Sequence, residues 1–585
     1  MSGARRTGRR LTLTVVIAVL VVIVFTGRLF QLQVVQAAAL DKVSAKNQST
    51  TVVTPGIRGS IVDTNGVVLA QSVDRFNVTV APKDFLLGYY RVPTDKNTFV
   101  PVATSIAKIA NVTGLSAADL TAIVEKDPKS LFATLDKNVT LAVVGKLKKL
   151  KIPGVYYPAV AARSYPNGAI GGNLVGFVGT DGPQAGVEKE YNGCLASTAG
   201  QSTYQTGADG VRIPGSTVKQ TDPVNGGTLQ LTIDRDLSYQ VDQAIIAQAQ
   251  VLNAPWATAV VERVSDGHLV AVDDYPTVDP NDPGASKPGA TGSLAFTQQY
   301  EPGSTFKAMS AAALIDAGAI TPTTPVVVPS VLRLSNGGYI KDSFSHGTLH
   351  YTTAGVLENS SNIGISLLSE KLPAPQRYDY MVKFGVGQKT AVDFAGQASG
   401  HLPKPPWDVV TTKSVEFGQG VSATSVQVAQ IFETIANHGV REPSTLVEKC
   451  TKPDGTVIDT STAKPVRVVS AKAADEVRGM LETVVSGGPI SSLLKIPGYR
   501  IAAKTGTAQV AKAHGGGYGN DYIISVAGMI PAENPQYVVV VTFGPTTLET
   551  SAGAAPAFKN VMLDVIDRYR IPPSTTPAPY VQTTW

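Results

Sequence analysis

The sequence has 585 residues, of which 43% are hydrophobic and 16% charged, and its formal net charge is +5. This length exceeds what one ordinary hydrophobic core accommodates, so two or more domains are predicted. A net charge this small gives no support for a nucleic-acid partner, because binding to nucleic acid needs a concentrated excess of Lys and Arg.

The N-terminal segment predicts a membrane anchor. Four arginines in residues 1–10 precede an uncharged apolar stretch over residues 11–27, which is just long enough to span a bilayer. Clustered arginines on this side place residues 1–10 in the cytoplasm and everything after Arg28 outside. The rival interpretation is a signal peptide cleaved near residues 37–39. A retained anchor is favoured, because Arg28 and further residues separate the apolar stretch from that site.

Residues 28–225 are predicted to form a strand-rich pedestal domain. Alternating apolar residues indicate strands near residues 61–69, 75–80 and 155–161. Apolar residues with helical spacing between these strands indicate a small helical lobe. The predicted helices of this lobe cover residues 102–111, 116–126 and 141–149.

Residues 226–567 predict an α+β domain in which one antiparallel sheet is covered by helices. Strands are indicated towards both ends, and helices lie between them. The late strands cover residues 501–503, 522–527 and 537–541, and the main helices cover residues 237–252, 305–316 and 471–485. Residues 568–585 form a tail rich in Pro and Thr, which predicts disorder beyond Pro572.

The positions of the cysteines and histidines give little indication of a disulfide or a metal site. Cys194 and Cys450 are the two cysteines, and an extracytoplasmic location would permit a disulfide between them. Two free structural thiols are favoured, but pairing stays open because the distance between the two backbones is unknown. His346 and His350 lack a third nearby ligand and a convincing helix, so no metal site is predicted.

Three short motifs follow one another in the second half of the chain. Ser304 and Lys307 form an S-x-x-K motif, residues 360–362 read Ser-Ser-Asn, and residues 504–507 read Lys-Thr-Gly-Thr. A serine hydroxyl is a poor nucleophile near neutral pH and needs a base, an orienting group and donors for an oxyanion. Together the motifs supply these parts and predict serine acylation chemistry.

Local context selects Ser304 among several S-x-x-K matches. Strong helix formers follow Ser304 as far as Gly318, so a helix is predicted that places Lys307 one turn away on the same face. The positive end of that helix also favours negative charge developing at the serine. The similar pair Ser216 and Lys219 is followed by turn residues instead, and no helix face is available there.

These motifs resemble those of the penicillin-binding protein and serine β-lactamase superfamily, and within it the class B penicillin-binding proteins. Further matches occur in the same order as in that family. They lie at residues 58–70, 163–168 and 176–191 of the pedestal, and at residues 231–234, 417–420 and 423–424. The resemblance implies a transpeptidase domain of the penicillin-binding type on a dimerisation-type pedestal.

The resemblance implies a serine-type peptidoglycan D,D-transpeptidase that crosslinks stem peptides during septal wall synthesis and is a target of β-lactams. No cofactor is implied. The residues that would carry catalysis are Ser304, Lys307, Ser360, Asn362 and Lys504. The residues that would bind substrate are Ser361, Thr505, Gly506 and Thr507.

Charged residues in the pedestal motifs are interpreted as structural rather than as a second active site. Buried charges persist when they are paired, and Arg with Asp or Glu can join strands of an irregular domain. These residues are Arg58, Asp63, Arg163 and Glu188.

Several alternatives stay open. The enzyme alternatives are an elongation-type transpeptidase and a D,D-carboxypeptidase, although residues 176–181 look more division-type. The non-enzyme alternatives are a β-lactam sensor and a division scaffold. A sensor would need a cytoplasmic signalling module, and ten residues cannot fold into one. The intact acylation set argues against a scaffold.

The resemblance also implies partners and a location. The partners would be peptidoglycan stem peptides, β-lactam antibiotics, a polytopic membrane glycosyltransferase and division-complex proteins. The chain would cross the bacterial cell membrane once, with a cytoplasmic N-terminus and an extracytoplasmic catalytic domain at the division septum.

Overall fold

The structure is a computed structural model of the chain. It describes residues 3–40, 43, 49–90, 99–179, 181–207, 211–217, 219–286, 291–459, 463–512 and 517–585. The first two residues of the predicted cytoplasmic tail therefore lie outside the described residues. The chain forms two compact units, Met1–Ile57 with Ser197–Asn225, and Arg58–Ala196 with Gly226–Trp585. The domain boundaries predicted from the sequence stay predictions.

The first unit contains the N-terminal apolar helix. This helix spans Gly3–Phe30, and a five-residue π-helical segment at Gln31–Val35 continues it. In the described part of the chain, Gly8–Val35 is the one segment long and apolar enough to cross a membrane. It extends beyond the predicted residues 11–27, because the flanking residues continue the same helix.

Three antiparallel strands complete the first unit. They are Ser49–Thr54, Gly200–Gln205 and Lys219–Thr221. Ser216 lies in the loop before the third strand, where its hydroxyl is within 2.6 Å of the Ile213 carbonyl. Lys219 belongs to the strand that follows, so this S-x-x-K match has no helix, as the turn residues predicted.

The second unit contains a mixed eight-stranded sheet. Its central strand, Val68–Val80, pairs antiparallel with four of the other strands. The other strands are Ile61–Val62, Ala133–Val139, Val155–Tyr156, Ala159–Ser164, Thr228–Leu231, Val447–Thr451 and Val457–Asp459. The predicted alternating strands are therefore present, although residues 61–69 divide into two strands at a turn.

The predicted helical lobe is present beside this sheet. Its helices are Val102–Thr113, Ala117–Glu125 and Leu141–Lys149. Ser116 and Thr140 cap two of them through side-chain oxygens that accept backbone N–H bonds. Apolar residues at helical spacing, including Ile109 and Leu120, form a separate core with strand residues such as Val78.

Two pedestal arginines, Arg58 and Arg163, bind the buried carboxylate of Glu188. Both oxygens of Glu188 accept charged hydrogen bonds, from Arg58 Nε at 2.8 Å and from Arg163 Nε at 2.6 Å. Asp63 differs from the predicted Arg pairing. Its carboxylate accepts the backbone N–H groups of Asn65, Val67 and Arg235.

Cys194 and Cys450 form a disulfide with a Cα separation of 6.2 Å. The expectation of two free thiols was therefore wrong. Strand Val447–Thr451 pairs with Thr228–Leu231, and the nearby Gly227 N–H donates to the Cys194 carbonyl at 2.8 Å. These contacts bring together two cysteines that are 256 residues apart in sequence, which no local pattern indicates.

The α+β fold class is confirmed by a five-stranded antiparallel sheet. Its strands are β1 (Trp256–Arg263), β2 (Leu269–Tyr275), β3 (Ala502–Ala511), β4 (Tyr518–Ile530) and β5 (Tyr537–Thr546). The order across the sheet is β2-β1-β5-β4-β3. The Lys-Thr-Gly-Thr motif therefore lies on an edge strand of this sheet, with Lys504 opposite Ala527 of β4.

Helices cover both faces of this sheet. Arg235–Leu252 and Ala555–Tyr569 pack on one face, against residues such as Val261 and Val541. The other face, which includes Val260 and Val540, faces a larger core. The long helices of that core are Lys307–Asp316, Asn362–Ser369, Ala374–Lys383, Ser425–Ala436 and Ala471–Ser486.

Short elements complete the second unit. The short helices are Pro82–Phe85, Gly172–Val175, Gly186–Glu190, Asn192–Leu195, Leu294–Thr297, Thr353–Glu358, Thr411–Ser414 and Ser491–Leu494. The short strand pairs are Tyr89–Tyr90 with Phe99–Val100, Val178–Gly179 with Gly182–Pro183, Pro325–Val328 with Leu349–Thr352, Leu332–Arg333 with Tyr339–Ile340, and Val440–Arg441 with Val466–Arg467.

The C-terminal tail is ordered, so the prediction of disorder beyond Pro572 was wrong. Ser574 N–H donates to the Gly498 carbonyl at 2.9 Å, and Thr352 N–H donates to the Thr583 carbonyl at 3.1 Å. Proline restricts the backbone to extended conformations, which suits a segment whose hydrogen bonds go to other parts of the chain. Composition alone does not show that such partners exist.

Candidate active site

Ser304 lies in a tight turn that leads directly into a buried helix. A 3₁₀ turn at Gly303–Phe306 is followed by helix α1 (Lys307–Asp316), whose residues from Lys307 to Ile315 are buried. Ser304 therefore lies just before the α-helix rather than within its first turn. Lys307 Nζ lies 3.0 Å from Ser304 Oγ, which places an amine within reach of the hydroxyl proton.

Ser360 lies between two lysine amines. Its Oγ is 3.2 Å from Lys307 Nζ and 2.9 Å from Lys504 Nζ. Lys307 Nζ also donates to the Ser360 carbonyl. Both lysine side chains are fully buried. The structure thus brings the three sequence motifs to one point, with Ser304, Lys307, Ser360 and Lys504 in a continuous chain of polar contacts.

Burial lowers the pKa values of both lysines, and the charge of Lys504 also affects the pKa of Lys307. Burial lowers the pKa of Lys307 well below its usual value, the positive charge of Lys504 lowers it further, and Asp342 opposes the shift. Burial also lowers the pKa of Lys504, to about 7. An amine that is neutral near neutral pH can accept a proton, whereas an ordinary lysine cannot.

The Ser-Ser-Asn motif forms a strained turn between two helices, α2 (Thr353–Glu358) and α3 (Asn362–Ser369). Ser360 has a φ of 57°, in the left-handed region that residues other than glycine rarely adopt. Ser361 Oγ caps α3 by accepting the Gly364 N–H at 2.8 Å. The turn therefore fixes Ser360 through the helices on either side of it.

Asn362 lines the same cleft but contacts neither lysine amine. Its side-chain amide donates to the Lys341 carbonyl at 3.1 Å. The family resemblance places Asn362 among the catalytic residues, but its side chain forms no hydrogen bond with Lys307 in the structure. The amide is partly exposed to the cleft, where it could also contact a substrate.

Asp342 and His346 belong to the site but were missed in the sequence. The buried Asp342 carboxylate accepts Ser361 Oγ–H at 2.7 Å and the Ile363 N–H at 3.0 Å. His346 Nε2 lies 3.2 Å from the same carboxylate. The signal that could have found them is weak: an Asp and a His four residues apart in a loop that shows no periodicity.

Two glycines let the nucleophile turn approach β3 closely. A Cβ at Gly506, the motif glycine, would lie 2.4 Å from Ser525 Oγ and 2.9 Å from the Pro302 carbonyl. A Cβ at Gly303 would meet the Thr507 carbonyl at 2.9 Å, and its φ of 58° also favours glycine. Gly506 therefore matters because, without a Cβ, it allows β3 to pack closely against the turn that carries Ser304.

The three motifs open into one cleft of about 820 Å³. Ser304, Ser360, Asn362, Thr505 and Thr507 line its floor, and its walls carry aromatic residues. These aromatic residues are Tyr339, Phe344, Phe417, Tyr518 and Tyr522. Within the described ranges, no group of three or more His, Cys, Asp or Glu side chains could hold a metal ion. The expectation of no cofactor stays a prediction.

Two family models match the chain. The model described as penicillin binding protein transpeptidase domain matches residues 257–563, and the model described as penicillin-binding protein dimerisation domain matches residues 53–231. The first match contains all three motifs singled out in the sequence. The fold and the site therefore define a serine acyltransferase of the penicillin-recognising type.

Similar proteins occur in several bacteria. Penicillin-binding protein PbpB of Mycolicibacterium smegmatis is 33% identical over 96% of this chain and 91% of its own length. Peptidoglycan D,D-transpeptidase FtsI of Escherichia coli is 29% identical over 94% of this chain and 90% of its own length. The chain belongs to the class B penicillin-binding proteins, with the division-type peptidoglycan D,D-transpeptidases.

Solved structures agree with this assignment. A peptidoglycan synthetase from Bifidobacterium adolescentis has a TM-score of 0.71 and 31% identity, covering 92% of this chain and all of that chain. Penicillin-binding protein 3 from Mycobacterium tuberculosis, complexed with aztreonam, has a TM-score of 0.69 and 28% identity, covering 91% of this chain and 100% of that chain. The alternatives of an elongation-type enzyme, a carboxypeptidase and a sensor or scaffold are not favoured.

Proposed function

We propose that this peptidoglycan D,D-transpeptidase works through an acyl-enzyme at Ser304. Ser304 Oγ attacks the penultimate D-Ala carbonyl of a stem peptide, and the bond to the terminal D-Ala breaks. The acyl group then passes to an amine of a neighbouring strand, which forms the crosslink. A β-lactam would acylate the same hydroxyl and leave a stable ester.

Lys307 is the proposed base of the first step. Neutral Lys307 accepts the Ser304 proton, and Ser360 relays a proton to the departing amine. The observation that carries this assignment is the geometry of two buried amines, 3.0 Å from Ser304 Oγ and 2.9 Å from Ser360 Oγ. Because burial and Lys504 lower the pKa of Lys307, the amine is available as a base near neutral pH.

The β3 residues are proposed to receive the substrate carboxylate. Lys504, Thr505 and Thr507 offer a positive charge beside two hydroxyl donors, a combination that suits an anion. Gly506 holds β3 close to the nucleophile, and Ser361 fixes the turn on the other side. Backbone N–H groups of Ser304 and Thr507 would form the oxyanion hole.

Asn362 is proposed to bind the substrate amide. Its exposed side chain lines the cleft, and its present donor bond goes to a main-chain carbonyl rather than to another catalytic group. The pedestal residues Arg58, Asp63, Arg163 and Glu188 are proposed to be structural, since all of them bond to protein groups within the second unit.

The N-terminal helix fits a single-pass membrane protein. We propose that the N-terminus is cytoplasmic, because the arginines lie before the apolar stretch, and that the enzyme acts outside the membrane at the division septum. The proposed partners are a polytopic membrane glycosyltransferase, which would supply glycan strands, and division-complex proteins. The family relationship supports both proposals.

Labelling with a fluorescent penicillin tests the acyl-enzyme. The full-length protein in detergent should be labelled, and Ser304→Ala should not be. Ser216→Ala is the matched control, because Ser216 occupies the same local motif without the helix, and it should label like the wild type. Labelling of Ser304→Ala at the wild-type level would overturn the assignment. A fluorescent fusion with uniform side-wall signal would overturn the septal location.

A further inference from the structure

The ordered C-terminal tail contacts the part of the fold that carries the Ser-Ser-Asn motif. Residues 571–585 are called the C-terminal strap below. The strap begins one residue beyond the helix Ala555–Tyr569, after Arg570. Its first half is held at Arg500, whose backbone N–H donates to Ser574 Oγ at 2.9 Å and whose guanidinium donates to Thr576 Oγ1 at 3.0 Å.

The second half of the strap pairs with the strand Leu349–Thr352. Thr352 N–H donates to the Thr583 carbonyl at 3.1 Å, and Thr352 Oγ1 donates to the Gln582 carbonyl at 2.6 Å. An antiparallel bridge joins Tyr351 to Thr584, and the rings of His350 and Trp585 meet edge to face at 5.0 Å. The strap thus adds an extended segment to an otherwise exposed strand edge.

Gly355 shows how closely the strap approaches α2. A Cβ on this residue would lie 1.9 Å from the Thr583 carbonyl oxygen, a distance that no side chain tolerates. The backbone of Gly355 does not have a positive φ, so its conformation alone does not require glycine. The close packing of the strap on the first turn of α2 accounts for this glycine.

Helix α2 in turn supports the turn that carries Ser360. Thr352 caps α2 by accepting the Gly355 N–H at 3.2 Å. Three N–H groups that follow α2 donate to its carbonyls: Asn359 to Gly355 at 3.0 Å, Ser360 to Leu357 at 3.2 Å, and Ser361 to Val356 at 3.0 Å. A shift of this six-residue helix therefore shifts the backbone of Ser360.

We propose that the C-terminal strap is a positioning element for Ser360. By holding Thr352 and the first turn of α2, it keeps Ser360 Oγ between the two lysine amines. The left-handed backbone of Ser360 persists only where its surroundings hold it, and the strap supplies part of that support. The proposal rests on the acylation chemistry proposed above, since Ser360 matters only if that chemistry occurs.

Two variants of the full-length protein loosen the strap in different ways. Gly355→Ala places a methyl group against the Thr583 carbonyl, and deletion of residues 580–585 removes the pairing without adding an atom. Stopped-flow acylation by a fluorescent penicillin separates the limiting acylation rate from the affinity of the non-covalent complex. Both variants should lower the limiting rate about tenfold, as small misplacements of catalytic groups do, with little change in affinity.

Matched controls separate positioning from general loss of stability. Thr576→Ala removes a hydrogen bond from the first half of the strap, away from α2, and should acylate at the wild-type rate. Thr352→Ser keeps the hydroxyl that caps α2 and donates to the Gln582 carbonyl, and it should acylate at the wild-type rate. Melting temperatures of all variants show whether each protein is folded at the assay temperature.

The outcomes distinguish the strap from the acylation chemistry itself. Folded Gly355→Ala and 580–585 deletion variants that acylate at the wild-type limiting rate would overturn the positioning role. An equal loss of rate in Thr576→Ala would also overturn it, because the effect would then follow stability rather than α2. A wild-type protein that is never labelled would instead overturn the proposed function.

Discussion

Two regions of the second compact unit bury charged side chains in opposite ways. In the pedestal, the carboxylate of Glu188 is paired with Arg58 at 2.7 Å and with Arg163 at 2.6 Å. In the active site, Lys307 and Lys504 are both fully buried, and both contact the same hydroxyl. One region pairs opposite charges, and the other places like charges side by side.

The two arrangements have different consequences. Opposite charges compensate for lost hydration, so the pedestal groups join segments that lie far apart in sequence. Two buried amines cannot both stay protonated without a large free-energy cost, so at least one loses its proton at moderate pH. Burial in the first region therefore accompanies charge pairing, whereas in the second it favours a neutral amine, which is what the proposed base requires.

The largest expected effect is on catalysis, from removal of the proposed base. Lys307→Met keeps an apolar chain of similar length in the buried position but has no amine to accept the Ser304 proton. General-base catalysis contributes about 10²–10⁴-fold, so acylation by penicillin should fall by at least about 100-fold. The folded protein should persist, because a buried amine is replaced by an apolar group.

Lys219→Met is the matched control for this prediction. Lys219 occupies the corresponding position of the S-x-x-K match that lacks a helix, and its substitution should leave the acylation rate unchanged. Stopped-flow acylation and thermal melting measure both variants. Acylation of Lys307→Met within about tenfold of the wild-type rate would contradict the role of the amine as general base.

The next largest expected effect is a loss of unfolding free energy when the buried ion pairs of the pedestal are broken. Glu188→Gln leaves two arginines facing a neutral amide, and breaking a buried ion pair costs about 3–5 kcal/mol in unfolding free energy. The acylation rate of the protein that stays folded should not change. Lys389→Gln, at an exposed pair with Asp393, should cost less than about 1 kcal/mol.

Chemical denaturation measures the unfolding free energy of both variants. A Glu188→Gln protein as stable as Lys389→Gln would show that the buried pedestal charges contribute nothing to the fold. A Glu188→Gln protein that keeps its stability but loses acylation would favour the interpretation of these residues as a second functional site.

Loss of the disulfide should have a smaller effect on stability. Cys194→Ser combined with Cys450→Ser releases a cross-link between residues 256 apart, and native disulfides typically contribute about 2–4 kcal/mol. A reducing agent should lower the melting temperature of the wild type but not of the double variant. Equal sensitivity of both proteins to the reducing agent would contradict a native disulfide.

The smallest effect is a displacement of the pH–rate profile. Acylation should increase with pH as Lys307 loses its proton, and protonated Lys504 lowers the pKa of Lys307 by repulsion. Lys504→Gln removes that charge, raises the pKa of Lys307 and moves the rising limb to higher pH. Because the pKa of Lys504 is about 7, the difference should be greatest below that pH.

Lys495→Gln is the control for the pH profile, because Lys495 is exposed and is not among the residues that line the cleft. Its rising limb should coincide with that of the wild type. The limiting acylation rate, rather than the affinity, is compared, since Lys504 is also proposed to bind the substrate carboxylate. A rising limb that stays in place in Lys504→Gln would show that the two amines do not interact.

The sequence was informative where function depends on local pattern. Ser304 and Lys307 could be assigned because helix formers follow one S-x-x-K match and turn residues follow the other. The antiparallel sheet and its helices were predictable from apolar periodicity, and the observed boundaries of helices such as Ala471–Ser486 lie close to the predicted ones.

The remaining features depend on contacts between distant segments. The Cys194 and Cys450 pairing follows from the alignment of strands, which no short motif encodes. The order of the C-terminal strap depends on Gly498 and Thr352 as hydrogen-bonding partners, whereas its composition alone resembles that of a disordered segment. Asp342 acts on Ser361 and Lys307 through space, from a loop without a recognisable pattern.

The acyl-enzyme can be observed directly by peptide-mapping mass spectrometry of the full-length protein after reaction with penicillin. A single drug adduct is expected on the peptide that contains Ser304. The peptide containing Ser216 should be recovered unmodified from the same sample. An adduct on any other side chain, or no adduct on folded protein, would contradict the assignment of Ser304 as the nucleophile.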